Sequence, residues 1–178
     1  MNKDDIASKV RLAIVRAFSI RHGTGAGSAH WTKSIKEELC IEGRNAGLRT
    51  TAHGVTKSDW GEWLYDVCWL KYSDACSPEK SLVDAELDFL EEAVLIVESE
   101  FGNLGDIRDD FHKLLVGRAI VRCMIWDCRP TKNEEVVEWL AEMVRSFSST
   151  DANDFYLFAG YADNGFEFWH LDGRGVLR

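Results

Sequence analysis

Residues 93–101 of the chain read AVLIVESEF, the longest aliphatic run in the sequence followed by two glutamates. The run predicts a strand over these residues. Because side chains alternate between the two faces of a strand, Glu98 and Glu100 point the same way as Ile96. The strand therefore carries two carboxylates on one face, at its carboxyl end.

Two like charges about 7 Å apart on one strand face repel each other, and each is costly at a partly buried position without a counter-charge. A divalent cation removes this cost, since hard oxygen ligands suit Mg²⁺ or Mn²⁺. The pair Glu98 and Glu100 therefore indicates a metal site. The alternative is that both glutamates line a solvated edge of the sheet.

A third acid, Asp66, occurs in residues 62–70, EWLYDVCWL, which predict a second strand. Aspartate is a poor strand former, so its position in the middle of an aromatic strand indicates a specific interaction of its carboxylate. If the second and third strands pair as antiparallel neighbours, Asp66 lies across from Glu98 and Glu100 and completes a metal site. The alternative is that Asp66 accepts a hydrogen bond from a neighbouring backbone N–H or pairs with an arginine.

Hydrophobic periodicity and turn signals predict the order ααβββαβαββ, an α/β sandwich of helices on a sheet. Thr131 and Glu134 form a capping box before the last helix, and Asp163-Asn164-Gly165 predicts a hairpin turn. Helices are predicted over 5–20, 32–46, a segment after Asn103, and 134–147, with a short helix at 77–79. Strands are predicted over 48–53, 62–70, 93–101, 119–128, 155–161 and 166–171, and a flexible connector over 22–28.

The composition favours one domain of a soluble protein. The chain has 178 residues, a net charge of -9 and five cysteines (40, 68, 76, 123 and 128) that form no C-x-x-C pair, as expected for free thiols. No apolar run approaches the ~20 residues of a membrane-spanning helix, and the start of the chain lacks a secretory signal, so we expect a cytoplasmic protein without membrane contact. Residues 1–57 carry ten basic and five acidic side chains, and the acidic excess lies in the remainder.

The αβββαβ order, with Asp66 on the second core strand and Glu98-Ser99-Glu100 on the third, resembles the PD-(D/E)XK nuclease superfamily. Residues 63–70, 97–103 and 110–115 are similar to those of uncharacterised bacterial members. The resemblance covers roughly residues 31–128 of a single domain, 1–178. It implies a restriction-endonuclease-like core, a mixed sheet flanked by helices, with an extra N-terminal helix and a C-terminal helix plus β-hairpin.

The resemblance also implies roles for individual residues. Asp66 and Glu98 match the family's metal ligands, and the Ser99 carbonyl falls where that backbone often contacts the metal. Glu100 stands where the family has a lysine, and it would act as a further ligand or as the base. Lys113, on the helix after the third strand, is the candidate replacement for that lysine, although a helical wheel places it away from the apolar stripe, which also suits an exposed lysine.

Other residues could join such a site. Arg118 falls on the apolar stripe of the same helix and would need a buried partner or extend to solvent. Glu37 and Glu38, on the second helix, could add an acid or be surface residues. Trp60, Trp63 and Trp69 could stack on bases, with core packing the favoured alternative.

The implied function is Mg²⁺- or Mn²⁺-dependent hydrolysis of DNA phosphodiester bonds. The alternative is a catalytically inactive nuclease-fold protein that serves as a binding or regulatory module, because the family's lysine is absent and a net charge of -9 predicts weak independent binding to DNA. A homodimer or a protein partner is compatible with either function. The five histidines show no zinc-hydrolase spacing, and no serine or cysteine lies in a recognisable nucleophile motif.

Overall fold

The computed structural model describes residues 1–21, 28–73, 89–163 and 165–177, with the backbone alone at 21 and 28–30. Within these residues the order of helices and strands is the predicted one. The elements are α1 (Lys3–Arg21), α2 (Ser28–Asn45), β1 (Arg49–Ala52), β2 (Val67–Ser73), β3 (Phe89–Glu100), α3 (Leu104–Val116), β4 (Val121–Trp126), α4 (Asn133–Ser146), β5 (Phe155–Ala162) and β6 (Gly165–Asp172). The predicted connector at 22–28 (apart from Ser28), Cys76, the helix at 77–79 and Asn164 lie outside the described residues.

The strands form one mixed sheet with the spatial order β1-β2-β3-β4-β5-β6. The pairs β1–β2, β2–β3 and β5–β6 are antiparallel, whereas β3–β4 and β4–β5 are parallel. Parallel neighbours need a crossover, and α3 and α4 supply the two crossovers here. The predicted α/β class, a mixed sheet flanked by helices, is confirmed.

Each face of the sheet is covered by a different pair of helices. Residues of α1 and α2 pack on one face with Leu95 and Val97 of β3. Residues of α3 and α4 pack on the other face with Ile96 of β3. All six residues of β4 are buried, as the predicted cover on both faces requires. In the described part of the chain, none of the helices combines the length and apolar character needed to cross a bilayer.

The start of the second strand was predicted wrongly. β2 begins at Val67, so Asp66 precedes the strand and is not in its middle. The residues before it do not pair with β3, because the chain there follows the edge strand β1, where the Ala52 N–H donates to the Trp60 carbonyl at 3.2 Å. The core packing predicted for the tryptophans is wrong for Trp60, 41% exposed, and Trp63, 51% exposed, and it is confirmed for Trp69, which is fully buried.

Two local predictions are also wrong. Arg118 is exposed and lies beyond α3, which ends at Val116 with Gly117 as its cap, so it needs no buried partner. The capping box fails because α4 begins at Asn133 and its N-cap residue, Lys132, makes no side-chain capping hydrogen bond. Among the described cysteines, Cys40, Cys68, Cys123 and Cys128 are buried free thiols, as predicted.

The packing of α2 on the sheet predicts an unusual effect of Gly43→Ala. Alanine normally stabilises a helix interior relative to glycine by about 0.5–1 kcal/mol. Here a Cβ would lie 2.7 Å from Thr50 Cγ2 and from Trp69 Cδ1, and the buried Trp69 indole is fixed by its hydrogen bond to the Leu39 carbonyl. We expect the substitution to lower the free energy of unfolding by about 1–3 kcal/mol, measured by urea denaturation.

The control is Gly61→Ala, since a Cβ at Gly61 meets no atom within 4 Å. This variant should unfold at nearly the same urea concentration as the original protein. An increase in stability on Gly43→Ala would contradict the described contact between α2 and β2.

Candidate functional site

Asp66 connects three elements at one end of the sheet. Val67 pairs with Val97, so Asp66 lies beside the carboxyl end of β3. Its Oδ2 accepts hydrogen bonds from the Ser99 backbone N–H at 2.9 Å and the Ser99 hydroxyl at 2.6 Å. Its Oδ1 accepts from the ammonium of Lys36 on α2 at 2.6 Å. The backbone hydrogen bond that was the alternative to a metal site is therefore present, the other oxygen pairs with a lysine and not an arginine, and both carboxylate oxygens have partners.

Glu98 is buried on the face of β3 that α3 covers, with 2% of its surface exposed. Its Oε1 lies 3.2 Å from Lys113 Nζ, so the ammonium of Lys113 is its ion-pair partner. The pKa of Glu98 is raised to about 8, chiefly by burial and also by the charges of Asp66 and Asp110, while Lys113 opposes the shift. In the absence of a bound cation, Glu98 is therefore mostly protonated at neutral pH.

Lys113 connects Glu98 to an acid that the sequence analysis did not select. Its ammonium lies 2.7 Å from Asp110 Oδ1 as well as 3.2 Å from Glu98 Oε1. Partial burial lowers the pKa of Lys113, but the hydrogen bond to Asp110 and the charge of Glu98 outweigh this and raise it. Lys113 remains 51% exposed, so the predicted site residue is also a lysine in contact with solvent.

The N-terminus of α3 positions this stripe of charged residues. The side chain of Asn103 caps the helix by accepting from the N–H groups of Gly105 at 2.8 Å and Asp106 at 3.2 Å. Asp106, Asp110 and Lys113 then follow at i, i+4 and i+7, which places them on one side of the helix. The same spacing was available in the sequence and would have indicated Asp110.

Glu100 lies one alternation beyond Glu98 and is partly buried. Its pKa is raised by burial and by the charges of Asp110, Asp106 and, more weakly, Asp66. A Cβ added at Gly102 would lie 2.5 Å from Glu100 Oε1 and 3.4 Å from Asp106 Oδ2, so both carboxylates approach the start of α3. Glu98 and Glu100 thus share the face of β3 that was predicted.

We call Asp66, Glu98, Glu100 and Asp110 the carboxylate cluster. The electrostatic influence of Asp66 and Asp110 on Glu98 and Glu100 shows that the four acids, three of them predicted, lie in one neighbourhood. Two ammonium groups contact the cluster, Lys36 at Asp66 and Lys113 at Glu98. Within the described ranges, no three His, Cys, Asp or Glu side chains are arranged to hold a metal ion.

Lys36 is the second functional residue that sequence reasoning missed. Its side chain is only 11% exposed, and it lies 2.6 Å from Asp66 and 4.0 Å from Glu62. Lys36 precedes Cys40 by one helical turn, so periodicity places it on the buried side of α2 and signals a need for an acidic partner. Among the described contacts, α2 contributes Lys36 to the cluster. It contributes neither Glu37 nor Glu38.

No protein-family model, no curated protein and no solved structure matches the chain. The resemblance to the PD-(D/E)XK superfamily consequently rests on the residues quoted above.

The raised pKa of Glu98 predicts that stability falls as the pH rises. The carboxyl titrates near 4.5 when unfolded and near 8 when folded, so the folded state binds more protons between these values and is destabilised progressively across that window. Each pKa unit corresponds to about 1.4 kcal/mol. We expect Glu98→Gln, which stays neutral, to be more stable than the original protein by a few kcal/mol at pH 8, measured by urea denaturation without divalent cations.

A matched control is Glu92→Gln, an exposed glutamate on the same strand. It should leave the pH dependence of the free energy of unfolding unchanged. If the original protein and Glu98→Gln showed parallel stability curves between pH 5 and 8, Glu98 would not be the buried titrating group.

Proposed function

We propose that the protein is a nuclease that hydrolyses DNA phosphodiester bonds with a divalent cation, Mg²⁺ or Mn²⁺, held by the carboxylate cluster. The observation that carries this proposal is the buried carboxyl of Glu98, which lies near the charge of Asp66 and is 3.2 Å from the half-exposed ammonium of Lys113. The run from α2 to β4 supports it, since this run has the αβββαβ order of a restriction-endonuclease-like core.

The chemistry of the donors suits such an ion, and binding would require their side chains to move together, since no three acids of the described residues stand in ligand geometry. The cluster offers carboxylate oxygens alone, which Mg²⁺ and Mn²⁺ prefer. The charges of Asp66 and Asp110 contribute to the raised pKa of Glu98 and of Glu100, a repulsion that a bound cation would remove. Asp66 and Glu98 would hold the ion, with Glu100 as a further ligand. When bound, the ion would lower the pKa of a water molecule and neutralise the scissile phosphate.

The remaining residues have complementary tasks. Glu100 can accept the proton of the attacking water, and its raised pKa makes it a stronger base than an ordinary carboxylate. Lys113 stays protonated and half-exposed, so its ammonium can stabilise negative charge on the phosphate oxygens. Lys36 and Ser99 fix the orientation of Asp66 through its two oxygens. Glu100 and Lys113 are therefore the proposed catalytic residues.

A second function is favoured by the two lysine contacts. Lys36 lies against Asp66 and Lys113 against Glu98, at the oxygens that a metal ion would use. In a binding or regulatory module without catalysis, these ammonium groups would replace the cation permanently. The two functions differ in whether a divalent ion can displace a lysine from the cluster.

The proposed function predicts measurable binding of Mn²⁺ that depends on the cluster. Calorimetric titration should show binding by the original protein and its loss in Asp66→Asn and Glu98→Gln, because each change removes a charged oxygen ligand. Plasmid and single-stranded DNA should be cleaved in Mg²⁺ or Mn²⁺ by the original protein and not by Asp66→Asn or Glu98→Gln.

The control for both assays is Asp109→Asn, since Asp109 is 64% exposed and pairs with Arg108 on the outer side of α3. It should leave binding and cleavage intact. Cleavage that persists in Asp66→Asn and Glu98→Gln would contradict the proposed site, and a protein that neither binds Mn²⁺ nor cleaves DNA would be the inactive module.

Lys113→Gln separates the two tasks of the cluster. Removal of the ammonium that competes for Glu98 should tighten Mn²⁺ binding, because the ion then meets one less positive charge. Cleavage should nevertheless slow by about 10²-fold, since the phosphate loses its protonated partner. Titration calorimetry and single-turnover cleavage measure the two effects, and an equal rate in the variant and the original protein would exclude Lys113 from catalysis.

A further inference from the structure

A groove with aromatic walls lies beside the carboxylate cluster, at the β1–β2 edge of the sheet. It encloses about 300 Å³, at the lower end of the range for small-molecule sites, about 300–1,000 Å³. We call it the aromatic groove. Its lining includes Thr51, Trp60, Glu62, Trp63, Leu70 and Tyr72.

The aromatic rings of this groove are exposed to an unusual degree. Trp60 is 41% exposed and Trp63 is 51% exposed, whereas Trp69 in the neighbouring strand is fully buried. Trp60 meets the Tyr72 ring edge-to-face at 5.6 Å, which holds its position while part of its surface remains accessible. Neighbouring exposed aromatic rings form the kind of contiguous apolar surface that is typical of binding sites.

Basic groups border the same rings. The Arg49 guanidinium lies 5.0 Å from the centre of the Trp60 ring and 5.1 Å from that of Tyr72. Arg44 donates to the Lys57 carbonyl at 3.3 Å and lies 3.5 Å from Asp59, so the second guanidinium at this edge is paired with a carboxylate. The wall of the groove thus combines flat aromatic surfaces with positive charge.

The acids near the groove have described partners. Asp59 accepts hydrogen bonds from the backbone N–H and hydroxyl of Thr50, and it lies 3.5 Å from Arg44. Glu62 is 4.0 Å from Lys36. These partners reduce the repulsion that the two carboxylates would exert on a phosphate.

Lys36 joins the groove to the carboxylate cluster. It lies 4.0 Å from Glu62 in the groove wall and 2.6 Å from Asp66 in the cluster. The chain also runs directly from Trp60 to Asp66 within seven residues. A strand of nucleic acid on the groove would therefore continue toward the four acids.

We propose that the aromatic groove binds unpaired bases of single-stranded DNA, which stack on Trp60 and Trp63 while phosphates approach Arg49. This inference rests on the proposed function and names its substrate class. Stacking requires an accessible base face, which a base pair inside a duplex does not offer. The stacked guanidinium favours a polyanion with planar bases over an apolar peptide.

The test measures binding without metal, so that it does not depend on cleavage. Fluorescence anisotropy in EDTA and low salt compares labelled oligothymidylate, an abasic oligonucleotide of equal length and charge, and a hairpin duplex. Oligothymidylate should bind most tightly to the original protein. Trp63→Ala should weaken this binding by about fivefold or more, and Trp63→Phe should restore most of it.

Two control variants separate stacking from charge and from general packing. Leu12→Ala removes an apolar residue on α1 that is 44% exposed, and it should change nothing. Arg49→Gln should weaken binding to all three probes and reduce the slope of log K against log salt by about 1.

The inference is overturned if Trp63→Ala binds oligothymidylate as tightly as the original protein, or if the abasic probe binds as well as oligothymidylate. It is also overturned if the original protein binds no probe and instead self-associates through Trp63, as judged by its sedimentation. Stacking-dependent binding without any cleavage in Mg²⁺ upholds the inference and contradicts the proposed hydrolysis. Cleavage with the same KM in Trp63→Ala and the original protein contradicts the inference and supports the proposed hydrolysis.

Discussion

The burial of an ionisable carboxyl at the carboxyl end of β3 is the constraint on which the site depends. The strand runs between helices on both faces, so its last residues enter a region with little water. Glu98, 2% exposed, cannot ionise there without a cation close by. Lys113 of α3 lies 3.2 Å from the Glu98 carboxylate, and the pKa of Glu98 is raised to about 8. Both the charged and the neutral form of Glu98 are therefore accessible near neutral pH.

Asp66 is a second acid in a partly buried position, and its charge is stabilised by different partners. Its oxygens are shared between Lys36 of α2 and Ser99 of β3, so one side chain connects the two layers of the fold at the end of the sheet. Two interpretations of such a cluster are possible: a metal ion displaces the lysines when it binds, or the lysines take the place of a metal ion permanently. The two cases differ in free energy. A metal ion displaces a lysine only if it interacts more favourably with the carboxylate oxygens than the buried ion pair did.

The features of the fold that depend on short-range periodicity could be predicted from the sequence. The order of the elements, the aliphatic core of β3 and the shared face of Glu98 and Glu100 follow from local patterns. The start of β2 does not follow from local patterns. Residues 62–66 have the composition of a strand, but they remain unpaired because the chain before β2 runs beside β1. Arg118 was misplaced for a related reason, since Gly117 ends α3 one residue before it. Lys36 lies thirty residues from its partner, and no local pattern specifies that contact.

The most direct test of the account is the number of protons released when Mn²⁺ binds at neutral pH, measured by calorimetry in two buffers of different ionisation enthalpy. Because Glu98 holds a proton before the ion arrives, binding should release close to one proton per ion, and this release should be absent in any residual binding by Glu98→Gln. Binding with no proton release, or with a release that Glu98→Gln leaves unchanged, would show that the ion does not enter the carboxylate cluster through Glu98.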